Sequence, residues 1–237
     1  MTDRVNHLGQ PVGPPLDVAL PRPRPPRAPM EGRLARVVPL DPAAHGDALF
    51  DAFAEDAEGR LWTYLGVGPF ASRAEFCGWL ARQAAGEDPL VHVILLDGRP
   101  LGLASFMRID PGNGVIEVGQ IAYAPALQRT AAATEAMALM MARVFDELGY
   151  RRYEWKCDAL NAPSRVAAER LGFRYEGTFR KATHYKGRSR DTAWFSVIDE
   201  EWPNLSAAFA AYLAPDNFDA AGRQRRPLAA FRQVRSS

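Results

Sequence analysis

Three strand-like runs crowd the middle of the chain, and directly after them the hydrophobic period changes. Residues 90–96 (LVHVILL), 101–109 (LGLASFMRI) and 115–123 (VIEVGQIAY) are rich in β-branched and aromatic side chains. Asp97-Gly98 provides a tight turn between the first two, and Pro111-Gly112-Asn113-Gly114 reverses the chain again, so an antiparallel meander is expected. From Thr130 to Leu148 the apolar residues fall instead at Ala133, Ala136, Met137, Met140, Met141, Val144 and Leu148, which is one face of a helix. Thr130 can cap its start, Glu135 suits the positive end of its dipole, and Gly149 can take the left-handed stop.

The rest of the pattern follows the same logic. Residues 31–40 suggest a first strand, and 42–54 and 72–85 read as helices, with Asp41 and Ser72 where N-caps belong. A strand is expected at 151–157, a short helix over 162–171 ending at Gly172, and two further strands at 173–181 and 191–199. In the first of these, Phe173, Tyr175 and Phe179 alternate with Arg174, Glu176 and Arg180. Meander, helix, strand, helix and a final strand pair make one α/β domain with a mixed sheet. At 237 residues and 47% hydrophobic, the chain can bury one sizeable core.

The ends differ from this body. Residues 1–30 are a Pro/Arg-rich extension, and Leu20 to Pro29 alternates proline with arginine, which enforces an extended, largely polyproline II path. Such a leader is expected to be strapped over the domain or left free, with a docking peptide as the minority reading. Residues 204–237 hold a C-terminal helix and a basic tail (Arg223, Arg225, Arg226, Arg232, Arg235), expected to be a solvated terminus. The Pro/Arg-rich ends would also suit the arms of a homodimer.

Composition excludes several classes. The net charge of +1 gives no field that would drive the whole molecule onto nucleic acid or a membrane surface. No apolar run reaches the roughly 20 residues that span a bilayer, and Met1-Thr2-Asp3-Arg4 lacks the apolar core expected of a signal peptide. Cys77 and Cys157 are too few for a disulfide framework, so a cytoplasmic location is expected. Neither a Gly-x-Gly-x-x-Gly nor a Walker Gly-Lys-Ser/Thr occurs, and His7, His45, His92 and His184 make no cluster, so no metal is expected.

Two segments carry the chemistry. In Ile121-Ala122-Tyr123-Ala124-Pro125-Ala126-Leu127-Gln128-Arg129-Thr130-Ala131-Ala132-Ala133, a strand runs through a tight connection into a helix whose first turn is made of small residues. Free amides and the helix dipole can hold a diphosphate there, although a plain strand-to-helix loop reads the same way locally. In the second segment Asn161 stands at a helix start and Ser164 lies three residues on, a pair that also serves simply as an N-cap.

Taken together, Asn161-x-x-Ser164, Ala168-Glu169-Arg170-Leu171-Gly172-Phe173, Glu176-Gly177, Arg180, Gly187-Arg188-Ser189-Arg190-Asp191 and Glu201-Trp202-Pro203 resemble the GNAT acetyltransferases, within them the RimJ/RimL-like group that acetylates ribosomal protein N-termini. The resemblance covers residues 31–203. It implies a single GNAT-type α/β domain with a mixed, splayed, mostly antiparallel sheet flanked by helices, and acetyl-CoA as co-substrate wedged between two parted strands. Backbone at Gln120, Ile121 and Ala122 would pair with the pantetheine. Gln128, Arg129, Thr130, Ala131, Ala132 and Ala133 would carry the pyrophosphate, with Asn161 and Ser164 at the thioester end. The chain departs from the family where a glycine gives way to Ala131 and where Ala168 replaces the tyrosine that many members use to protonate the leaving thiolate. Ser164 is then the nearest donor.

For the acceptor, a small-molecule or peptide amine, Glu117 is the candidate base and His184 the next, since either can take a proton from the attacking nitrogen. Each also reads as an ordinary surface side chain. Trp62 and Tyr64, in an aromatic run between the first two helices, are candidates for the acceptor pocket as well as for the core. The rival reading is a non-catalytic acyl-CoA-binding or regulatory module. A third class is an interaction domain working through its leader.

Overall fold

The computed structural model describes residues 4–232; Met1-Thr2-Asp3 and, in the basic tail, Arg235 lie outside the described residues. The strands are β1 (Arg4–Val5), β2 (Pro11–Val12), β3 (Met30–Glu31), β4 (Arg36–Pro39), β5 (Leu90–Leu96), β6 (Arg99–Asp110), β7 (Val115–Tyr123), β8 (Arg152–Asp158), β9 (Arg174–Tyr185) and β10 (Arg188–Ile198). The helices are α1 (Pro42–Ala54), α2 (Arg73–Ala85), α3 (Ala131–Ala142), α4 (Ala162–Leu171) and α5 (Trp202–Leu213). Eight strands form one sheet in the order β3-β4-β5-β6-β7-β8-β10-β9, and β1 and β2 form a separate hairpin. Every pair in the large sheet is antiparallel except β7 and β8, which the α3 crossover joins in parallel.

Local chemistry sets most helix ends. The Asp41 carboxylate accepts from the amides of Ala43 and Ala44, and Ser72 from Glu75. Gly172, at φ +104, closes α4 in the left-handed region. The helix expected to run to Leu148 stays α-helical to Ala142 and continues through a π turn over Arg143–Glu147 before Gly149 (φ +66). Along β8, Tyr153 and Trp155 face the layer of Phe145 and Phe173, while Glu154 and Lys156 alternate to the other face. α2 reaches that second face through Gln83, whose side chain accepts from Gln120.

Three expectations change. The first strand is not continuous over 31–40: a turn separates β3 from β4, and the buried Glu135 carboxylate accepts the amides of Arg33, Leu34 and Ala35 there. Glu135 therefore caps that turn rather than the dipole of its own helix. The tail is not simply solvated. Leu228 is buried, Asn217 and Arg226 exchange hydrogen bonds, and the Arg232 guanidinium donates to the carbonyls of Glu169 and Arg170 at the end of α4. In β9, Tyr175 and Phe179 stay exposed because this is an edge strand, and Phe179 stacks on Trp194 instead of entering the core.

The leader lies along the domain. Arg22 donates its amide to the Pro111 carbonyl, Arg27 reaches Gly86, and Arg143 donates to the carbonyls of Ala28 and Pro29. Cys157 is buried and free, and burial raises the pKa of its thiol. No described helix is long and apolar enough to cross a membrane.

Candidate active site

Between β7 and β8 the sheet opens. Their register runs from Val115↔Arg152 to Val118↔Trp155 and stops, although β7 continues to Tyr123 and β8 to Asp158. The cause is a bulge in β7: Gly119 faces Ser105 and Ala122 faces Leu103, so β7 spends one residue more than β6 over this stretch. Gln120 takes the left-handed conformation (φ +51), and its side chain is held by the Ser105 hydroxyl at 3.2 Å and by Gln83 at 3.3 Å. Beside it, Gly119 leaves room for the Met107 side chain, whose sulfur would lie 2.2 Å from a Cβ there and would have to move for a larger residue. Gln120, Ile121 and Ala122 thus stand together on the bulged limb, with no β8 partner.

The limb runs into the α3 connection. Leu127 is fully buried and anchors it, the Gln128 side chain donates to the Tyr123 carbonyl at 2.9 Å, and Arg129 turns the chain at φ +61. The Thr130 hydroxyl donates to Leu127 and accepts from the Ala133 amide. The left-handed position is Arg129 and not Ala131, which already lies in the helix, so the alanine costs the loop no conformational freedom. Among the described residues no acceptor meets the amides of Arg129, Ala131 and Ala132. Three free donors, small side chains and a helix N-terminus are the donor set that suits a diphosphate.

Across the opening, Asn161 caps α4 by accepting the Ser164 amide at 3.2 Å. The Ser164 hydroxyl accepts from Trp155 Nε1 at 3.0 Å, at the last position of β8 paired with β7, which leaves its own proton to be donated elsewhere. Ala168 is fully buried, so the position where the resemblance would set a tyrosine belongs to the core.

Glu117 is no exposed strand carboxylate: it retains 4% of its surface. Its Oε2 lies 2.8 Å from Lys156 Nζ and 3.2 Å from Arg108 Nε. Burial raises its pKa above the usual carboxylate value, against the pull of Lys156 and Arg108. His184 stands exposed on β9 opposite Ser189, its ring without a hydrogen bond or ion pair among the described residues. Trp62 retains 5% of its surface and packs edge-on against Phe53, Phe70 and Phe76, so its ring is chiefly core; one side lines a cleft of about 320 Å³ with Phe50, Phe70 and Pro69. Tyr64 donates its hydroxyl to the Leu160 carbonyl, and Lys186 and Arg188 donate to the carbonyls of Trp62 and Thr63. The aromatic run therefore bridges the β9–β10 turn and the α4 entry.

Sequence reading missed the partners of Glu117. Arg152, Glu154, Lys156 and Asp158 alternate with Tyr153, Trp155 and Cys157, a period-two charged face that was visible in the sequence. It missed also that Tyr185 donates its hydroxyl to Asp158 at 2.7 Å, which ties the β9 end to the mouth of the opening.

A sheet parted at its parallel pair, with free amides at a helix tip beyond the gap, is the arrangement that the resemblance to the GNAT acetyltransferases implies. Comparison with known proteins agrees. A family model described as "Acetyltransferase (GNAT) domain" matches residues 36–174, and the chain belongs to that family. A solved GCN5-related N-acetyltransferase from Brucella melitensis is 50% identical with a TM-score of 0.89, over 91% of this chain and 99% of that one. Mycobacterium smegmatis RimJ, solved in complex with CoA-disulfide, shares the fold at 21% identity and a TM-score of 0.63, over 75% of this chain and 88% of RimJ. The uncharacterized N-acetyltransferase YnaD of Bacillus subtilis (strain 168) is 28% identical over 91 residues, 38% of this chain and only 53% of YnaD.

Proposed function

We propose that the chain moves an acetyl group from acetyl-CoA to a primary amine, a protein N-terminus or a small-molecule amine, by direct attack in a ternary complex. The observation that carries this reading is the parting of β7 from β8 beyond Val118, with the amides of Arg129, Ala131 and Ala132 left free at its far end. Acetyl-CoA supplies the activated acetyl group. Backbone at Gln120, Ile121 and Ala122 is assigned to the pantetheine arm, and the loop Gln128–Ala133 to the diphosphate. Asn161 orients the start of α4, and Ser164 is assigned as proton donor to the departing thiolate. RimJ, solved with CoA-disulfide, supports a CoA ligand on this fold.

Glu117 is assigned as the base that takes the proton of the acceptor nitrogen, with His184 second. An α-amine, with a pKa near 8, is the easier nucleophile to present neutral at pH 7 than a lysine. A correctly placed carboxylate contributes on the order of 10²- to 10⁴-fold. Tyr64 and the side of Trp62 that lines the cleft are assigned to the acceptor approach. Residues 31–203 form the catalytic unit in this reading, with 1–30 as an extension and 204–237 as a C-terminal helix and tail.

The test is thermal shift with acetyl-CoA together with release of CoA thiol across a panel of N-terminal peptides, polyamines and aminoglycosides. Stabilisation with turnover on at least one amine is expected. Stabilisation without turnover on any of them favours the acyl-CoA-binding module, a reading that the absent tyrosine at Ala168 keeps in play. Absence of stabilisation overturns both. Glu117→Gln should lower turnover at least tenfold with acetyl-CoA affinity unchanged.

A further inference from the structure

We propose that Lys156 is a positioning residue that keeps Glu117 ionised at the root of the parted strands. The proposal rests on reading Glu117 as the base. Lys156 is the first residue of β8 beyond its register with β7, yet its side chain is buried, with 7% of its surface exposed. Its ammonium lies 2.8 Å from Glu117 Oε2, 2.6 Å from Glu154 Oε2 and 3.8 Å from the centre of the Trp194 ring, on which Phe179 stacks. A buried ammonium needs its countercharge in contact, and here two carboxylates compete for one cation. The surplus anion is balanced at the ends of the row. Arg108 Nε lies 3.2 Å from Glu117, and Arg152 Nε lies 2.7 Å from Glu154 while its fork holds Glu176. Sign alternates along the whole row: Arg108, Glu117, Lys156, Glu154, Arg152, Glu176.

The groups that set the charge of Glu117 are therefore Arg108 from β6 and Lys156 and Glu154 from β8; the buried Tyr153 hydroxyl on the opposite face of β8 stays neutral, its ionisation disfavoured by burial and by Glu117 itself. Burial pushes its pKa up, and the contact with Lys156 is the largest opposing effect, ahead of Arg108. A base that must accept a proton near neutral pH has to enter the reaction as the anion. With Lys156 gone, Glu117 and Glu154 would face each other across a dry gap, and one would take up a proton. With Glu154 neutral, the ammonium would serve Glu117 alone, and its pKa would fall. The two changes act in opposite directions, which a purely structural role for the row does not require.

The experiment titrates Glu117 directly, by the carbonyl ¹³C shift of protein labelled with ¹³C-glutamate, without ligand, the signal being assigned by its loss in Glu117→Gln. Lys156→Met should raise the titration midpoint by about one pH unit or more, Glu154→Gln should lower it by several tenths, and Lys156→Arg should leave it within about half a unit of wild type. The acid limb of CoA release, on the best amine of the panel, should shift with the midpoints. Should Lys156→Met fail to fold, Glu154→Gln carries the test by its downward shift. A midpoint that does not move in Glu154→Gln, or in a folded Lys156→Met, overturns the positioning role alone. Wild-type turnover in Glu117→Gln from pH 6 to 9 overturns the base assignment, and the proposal with it.

Discussion

Replacing Glu135 tests how a side chain on α3 builds the other end of the sheet. Its carboxylate accepts three consecutive amides, from Arg33 at 3.1 Å, Leu34 at 2.5 Å and Ala35 at 2.7 Å. Ala35 is buried and Leu34 half-buried, whereas Arg33 is exposed and can turn to water. In Glu135→Ala, stranding the Ala35 amide costs about 1–3 kcal/mol, and loss of the charge-assisted bond to Leu34 adds about 1 kcal/mol. A total near 3 kcal/mol follows, which in a chain of this size lowers Tm by about 6–12 °C. Glu135→Gln keeps one acceptor oxygen but turns an amino group toward these donors, so about half that loss is expected. Urea unfolding followed by tryptophan fluorescence gives the free energies, and differential scanning fluorimetry the midpoints. A Glu135→Ala variant within about 0.5 kcal/mol of wild type would refute the reasoning, because the turn would then be held by something other than this carboxylate.

Gly32→Ala should destabilise by a comparable amount, about 2–3 kcal/mol in urea, since its Cβ would lie 2.4 Å from Glu135 Oε2 and 2.7 Å from the Ala35 carbonyl; unchanged stability would mean that the turn yields freely. His92 is buried, and desolvation lowers its pKa from 6.5 to about 4. Because its folded pKa lies below the unfolded one, the unfolded state binds the proton first. The contribution is present above pH 6.5 and is lost as the pH falls toward 4, about 3 kcal/mol in all. His92→Leu should flatten that part of the stability profile, and a parallel profile would remove His92 as its source. Ala131→Asp should weaken acetyl-CoA binding at least tenfold in calorimetry by setting a carboxylate against the diphosphate loop, and unchanged affinity would take that loop out of the site.

Much of this fold is decided within a few residues and is open to sequence reading. α1 follows from Asp41, α4 from Asn161 and Gly172, and the turns around β5, β6 and β7 from Asp97-Gly98 and the Pro-Gly-Asn-Gly run, because caps and turns satisfy backbone groups locally. The strand-to-helix connection from Gln128 to Ala133 lies where the sequence reading set it, but its left-handed residue is Arg129, since any of several residues near Ala131 could turn there until Leu127 is buried and Thr130 caps the helix. What no local rule contains is distance along the chain. Glu135 breaks the first strand from about a hundred residues away, and Arg232 ends against α4. Glu117 becomes a buried, paired carboxylate only when β6 and β8 bring Arg108 and Lys156 beside it. The succession of main strands and helices from β4 to α4 and the family pattern of the second half are legible in the residues alone, because periodicity and caps are near-neighbour physics, whereas the β1–β2 hairpin in the leader and the split of β3 from β4 are not. The tertiary structure alone decided where the sheet parts and which acid is shut away from water, because a bulge in one strand and the burial of a charge depend on what is packed across the gap.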